Sequence, residues 1–135
     1  MTASAQNLRL PLFVFGTLRR GQRNHHLLAR RHVRMRPARL HGFARTEPLM
    51  IRARPEASVI GELYFIRPDA YEATLRDCDE LEGIPPGRTV GRDYCRWRVT
   101  VVTPEGPADA WAYVHASAAA SSSEQSADAP VADRA

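Results

Sequence analysis

The 135-residue sequence contains no lysine; all nineteen of its basic residues are arginine. That absence excludes Schiff-base chemistry, a lysine general base and a phosphate-loop lysine. Serine is almost as scarce. Ser58 is the only serine between Arg9 and His115 and has no Gly-x-Ser-x-Gly setting, which excludes a serine hydrolase. Cysteine is limited to Cys78 and Cys95, in different predicted elements and without a Cys-x-x-Cys spacing. Reduced cytosolic thiols are therefore expected. Cys78 reads as core on an apolar helix face, and Cys95 has no evident histidine partner that would make it a nucleophile. No apolar run approaches the roughly 18 residues needed to span a membrane. The apolar patch nearest the N-terminus, Leu10–Phe15, follows an arginine rather than opening a signal peptide, so a cytoplasmic location is expected. The histidines, His25, His26, His32, His41 and His115, show no spacing that joins a carboxylate on one face, and no metal site is expected.

What is present is one domain's worth of chain, with 44% hydrophobic and 25% charged residues, long enough to bury a core without staples. Eleven arginines fall between Arg19 and Arg54, against one acid, Glu47. Such a concentration can attract nucleic acid. Arginines on alternate strand positions that form a solvated face account for the same pattern, and the field would also draw a small anionic substrate. The last of these fits the rest of the sequence best, so neither a nucleic-acid nor a membrane partner is expected.

Residues 1–8 read as a disordered leader and 116–135 as a disordered Ala/Ser-rich tail, with the folded domain at 9–115. Within it, Leu12–Phe15 is a short buried strand that stops at Gly16. Asn24–Arg31 suits one or two helical turns capped by Asn24. Val33–Phe43 alternates as a strand with a break at Pro37, Pro48–Ile51 is a short strand, and Val59–Ile66 is a strand in which Gly61 marks a bulge or close approach. Pro68 starts a helix whose apolar face is Tyr71, Leu75, Cys78 and Leu81, closed by Gly83. The segment 83–93 is a turn-rich loop. Arg96–Val102 and Ala110–Val114 are strands joined by a turn. The fold class is α+β: a small mixed β-barrel with one main helix and short flanking helical turns.

Two segments carry candidate chemistry. Gly16 directly after a buried strand lets backbone approach a ligand, and the amides of Thr17, Leu18 and Arg19 can form an anion-holding concavity. A turn glycine alone would also explain Gly16. The second segment is the acid run Asp77, Asp79, Glu80 and Glu82. Negative charge there opposes the helix dipole, so something other than helix stability keeps at least one acid. Asp77, Asp79 and Glu80 read as solvated surface. Glu82, at the Gly83 bend, is best placed to point into a cleft, where burial would raise its pKa toward a general-base value.

Together, FVFGTLRRGQRNHHLL and LRDCDELEGIPPGRTVGRDYCRWRVTV resemble the two signature blocks of the gamma-glutamylcyclotransferase-like superfamily, and GELYFI and AWAYV resemble its remaining strands. The resemblance covers roughly Leu12–His115, with both motifs in the family's order. It implies an enzyme that cleaves gamma-glutamyl amides: the substrate's α-amine attacks its own side-chain carbonyl, giving 5-oxoproline and a free amine. Glu82 matches the catalytic acid/base. Phe15, Gly16, Thr17, Leu18 and Arg19 match the substrate loop, and Tyr113 matches a substrate-contacting tyrosine. The short form resembles the gamma-glutamylamine cyclotransferase branch. No metal or organic cofactor is implied, the partner is a small gamma-glutamyl substrate, and monomer and homodimer are equally compatible. One departure is Phe15, where the family usually has tyrosine; loss of that hydroxyl implies slower turnover, altered specificity, or a non-catalytic module that binds a small acidic metabolite.

Overall fold

The computed structural model describes residues 9–16, 18–47 and 50–117. The expectations for Thr17, for residues 1–8 and for the tail beyond 117 lie outside the described residues. Among the described residues, five strands, β1 (Leu12–Val14), β2 (His32–Glu47), β3 (Met50–Ile66), β4 (Tyr94–Thr103) and β5 (Gly106–His115), close into a barrel in the order β1-β3-β2-β4-β5. One α-helix, α1 (Tyr71–Leu81), packs outside it. The fold is therefore the expected α+β barrel.

The short β1 is the seam. It pairs antiparallel with β3 (Phe13 opposite Leu63) and parallel with β5 (Leu12 opposite Trp111). All three of its residues are buried. A strand covered on both faces reads as a continuous apolar run rather than an alternation. Phe13 points into the barrel with Leu40, Leu63, Val101 and Val114, whereas Leu12 and Val14 point outward into a second cluster with Leu75, Cys78 and Trp111. β5 alternates likewise: Ala110, Ala112 and Val114 inside, Trp111 and Tyr113 outside.

The structure alters some of these expectations and bears out others. β2 runs through Pro37, which sits in register opposite Glu62. Proline lacks the ladder donor, but its fixed φ is compatible with extended backbone. The register shifts fall instead between His32 and Arg34, between His41 and Phe43, around Gly42, whose φ is +88°, and between Arg45 and Glu47. Of the short strand expected at 48–51, Met50 and Ile51 belong to β3, where 50–53 pairs back onto 43–47 to extend the hairpin, and positions 48 and 49 lie outside the described residues. Its exposed Arg52–Glu56 stretch has no apolar alternation to announce it. At Gly61 the expected close approach is present: a Cβ there would collide with the Val14 carbonyl and come within 2.8 Å of the Phe13 ring. The turn before β2 forms at His25–Leu27, with Asn24 at the N-cap position but without a side-chain capping bond.

A 3-10 turn over Pro68–Ala70 leads into α1. The helix ends as a Schellman motif: Gly83 N–H donates to the Glu80 carbonyl at 3.0 Å and Ile84 N–H to that of Asp79 at 2.9 Å. Gly83 adopts φ +76°, the left-handed conformation this closure needs. Ile84 then buries in the outer cluster. Leu81, read as part of the apolar face, is 42% exposed. Among the described residues no helix is long and apolar enough to cross a membrane.

Candidate active site

The Schellman closure fixes Glu82 at the C-cap of the helix, with φ −90° and ψ 7°. Its side chain enters a cleft of about 240 Å³ between the helix end, the exit of β1 and β5. Phe15, Gly16, Leu18, Leu81, Tyr94 and Tyr113 also line this cleft, and Arg23 and Asn24 border it. That volume is at the small end for ligand pockets, the scale of an amino-acid-sized group. Burial among these apolar walls, and secondarily the negative charge of Asp79, push the Glu82 carboxyl up to about 7. At neutral pH it is poised to take up a proton and give it back.

Asp79 is the correction to the acid run. It is 9% exposed, not solvated. Arg96 grips it with two bonds, Nε to Oδ1 at 2.9 Å and an Nη to Oδ2 at 3.2 Å, and the Tyr113 hydroxyl donates to Oδ1 at 2.6 Å. The guanidinium lies 4.7 Å from the centre of the Trp111 ring, and Trp111 Nε1 donates to the Tyr71 hydroxyl at 3.1 Å. Bidentate pairing and stacking are the contacts for which arginine is suited and lysine is not. Asp77 is half-buried on Arg31 at 2.8 Å, and Glu80 is exposed. Arg96 is thus committed to Asp79, and the Glu82 shift has burial and the Asp79 charge as its causes.

The loop after β1 is tied from outside. An Arg45 Nη donates to the Phe15 carbonyl at 2.6 Å, both Arg19 N–H and Arg19 Nε donate to that of Gly16, and the His25 Nδ1 contacts that of Leu18 at 3.0 Å. Arg20 N–H donates to Glu62 Oε1 at 2.8 Å, a carboxylate that also accepts from the Tyr64 hydroxyl. With the carbonyls so engaged, the N–H groups of Gly16 and Leu18 have no acceptor among the described residues. Backbone amides without an acceptor can serve as donors to an anion.

The structure thus brings Glu82, Phe15, Gly16, Leu18 and Tyr113 to one cleft. Arg19 does not line it; its guanidinium turns back onto the loop. The Tyr113 hydroxyl is spent on Asp79 and, being buried, is pushed well above its ordinary pKa. Tyr94, Arg23 and Asn24 reach the cleft without having been expected there. The signal for Tyr94 was present: Tyr94 and Arg96 lie two apart on β4, hence on one face, toward the helix end. Cys78 is core, with burial pushing its thiol up to about 12. Among the described residues no three His, Cys, Asp or Glu side chains gather as metal ligands.

The structure is a small closed barrel with a cleft that brings the high-pKa Glu82 carboxyl together with the loop after β1. Residues 12–132 match the family described as gamma-glutamyl cyclotransferase, AIG2-like, and the chain belongs to that family. Among solved structures it is similar to YkqA from Bacillus subtilis, at 27% identity and TM-score 0.62 over 78% of this chain and 35% of that one. It is also similar to the Arabidopsis thaliana protein At3g28950.1, at 23% identity and TM-score 0.60 over 87% and 67%. A gamma-glutamyl cyclotransferase shares the fold at 18% identity and TM-score 0.55, over 78% and 66%. The chain thus spans about a third of the length of the Bacillus protein and about two thirds of the other two. No curated protein sequence matches it.

Proposed function

We propose that this chain is a cofactor-independent gamma-glutamylamine cyclotransferase with Glu82 as general acid/base. The observation that carries the proposal is the Glu82 carboxyl, at about 7, sharing one small cleft with Gly16 and Leu18, whose amides have no acceptor among the described residues. In this reading Glu82 takes a proton from the substrate's α-ammonium. The freed amine attacks the γ-carbonyl of the same molecule, and the loop amides hold the α-carboxylate or the developing oxyanion. The C–N bond to the leaving group breaks as Glu82 returns its proton to that nitrogen, and the new ring nitrogen gives up its second proton to the departing amine or to water, leaving 5-oxoproline and a free amine. Nucleophile and electrophile belong to one molecule, so holding the chain curled supplies much of the acceleration. Phe15 and Tyr113 act as walls, Arg19 as a brace of the loop.

Incubation with a panel of gamma-glutamyl amines and amides should release 5-oxoproline, and Glu82→Gln should lower the rate about 10²–10⁴-fold. The wild-type rate should rise with pH through about 7, as the base form of Glu82 accumulates. Equal product from wild type and variant would sink the assignment. Retention of substrate by both with turnover by neither would favour a module that binds a small acidic metabolite, as the missing hydroxyl at Phe15 allows.

A further inference from the structure

Arg45 sits thirty residues beyond Phe15, on the part of β2 that extends the hairpin, opposite Ile51. It reaches back to the loop twice. Its Nη donates to the Phe15 carbonyl at 2.6 Å, and its guanidinium lies 5.4 Å from the centre of the Phe15 ring. In a trans peptide the carbonyl and the following N–H point in opposite directions. Holding the Phe15 carbonyl therefore sets the direction of the Gly16 N–H, an amide without an acceptor among the described residues, in a residue that lines the cleft. A full positive charge on the carbonyl also draws electrons from the peptide unit, which makes its N–H a stronger donor.

We infer that Arg45 is a positioning residue: from behind the loop it orients and polarises the Phe15–Gly16 peptide so that the Gly16 N–H stabilises negative charge on the substrate. The role rests on the cyclotransferase reading, although its structural half does not. Arg45 touches neither the cleft nor Glu82, and Glu82 owes its shift to burial and Asp79 alone. Stacking by Arg45 also gives the Phe15 ring a function that needs no hydroxyl.

Arg45→Ala, Arg45→Lys and, as a control, the exposed Arg52→Ala separate the possibilities. Removing an oxyanion donor outright costs about 10²–10³-fold in kcat, so weakening one should cost about tenfold. Arg45→Ala should lower kcat by that factor with KM and the pH midpoint near 7 unchanged, Arg45→Lys should recover part of it, and Arg52→Ala should match wild type. Independently of turnover, the Gly16 amide resonance should move in Arg45→Ala and stay in place in Arg52→Ala. An unmoved Gly16 resonance overturns the inference, whether kcat is kept or falls together with thermal stability. If the wild type makes no 5-oxoproline, the reaction fails, while the Gly16 resonance still decides whether Arg45 sets that peptide.

Discussion

The barrel interior and the layer between barrel and helix are built from the same strands, yet they differ in kind. Inside lie Phe13, Leu40, Ile51, Leu63, Val101 and Val114, and among the described residues the buried polar side chains, Thr74 and Asp79, belong to the helix instead. Outside, alternate residues of those strands supply Tyr64, Trp111 and Tyr113 against Leu75, Cys78 and Ile84, with Asp79 and Thr74 buried alongside. A closed interior offers a polar group neither water nor a free backbone end, so it is filled with hydrocarbon. The outer layer contains a helix terminus, a loop and a strand exit, each with groups that can satisfy or use a polar side chain. The cleft lies where the two meet, walled by Phe13 and Phe15 of the inner cluster and by Val14, Leu18, Tyr94 and Tyr113 of the outer one.

Breaking the outer layer's ion pair should have the largest effect on stability. Asp79→Asn leaves the Arg96 guanidinium, largely buried, without its counter-charge, and should destabilise by about 3–5 kcal/mol. It also removes the negative neighbour of Glu82, so the pH–rate midpoint should drop below 7 in whatever remains folded. Denaturant titration and a pH–rate profile check the two effects separately. A variant as stable as wild type would show the pair to be dispensable.

Inside the barrel, Leu63→Ala should cost about 3 kcal/mol through lost burial and the cavity left behind, with the pH midpoint of activity unmoved. A shifted midpoint would show that the two layers are coupled rather than divided by role.

The smallest effect sharpens the comparison from the other side. Folded Glu82 keeps its proton to about 7, whereas an ordinary glutamate releases it at 4.5. The folded state therefore binds more protons over that window, and Glu82's contribution to stability falls as pH rises from about 4.5 to about 7, then stays low. Each tenfold change in proton affinity is worth about 1.4 kcal/mol. On that scale, the stability of Glu82→Gln relative to wild type should rise by about 2–3 kcal/mol between pH 5 and pH 8, read by denaturant titration at each pH. A variant that gains nothing at pH 8 would mean that the carboxylate is not held at a cost.

The contrast between Asp79 and Glu82 marks where the sequence became unreadable. Four acids in six residues looked alike along the chain, and a helical period singled out the apolar residues better than the buried acid. Asp79 became core because Arg96, seventeen residues on, and Tyr113, thirty-four residues on, close over it. The arginines between 19 and 54 were equally uniform in sequence. In the fold, Arg31 pairs with Asp77, Arg36 with Glu105, Arg39 with Ser58, and Arg45 with the Phe15 carbonyl. A run that looked like one charged field is divided into separate contacts.

By itself the sequence determined the elements whose causes are local. The apolar run ending at Gly16, the alternation of β4 and β5, and the proline-started, glycine-closed helix all depend on neighbours within a turn or a pleat. It also narrowed the chemistry available, since the missing lysine and the scarcity of serine in the folded domain exclude lysine and serine-hydrolase mechanisms. Only the tertiary structure decided that Glu82 and the Gly16 loop share a cleft, that Asp79 is buried, and that Arg45 stands behind the loop. Burial and pairing are properties of groups brought together from distant parts of the chain, and no local spacing records them.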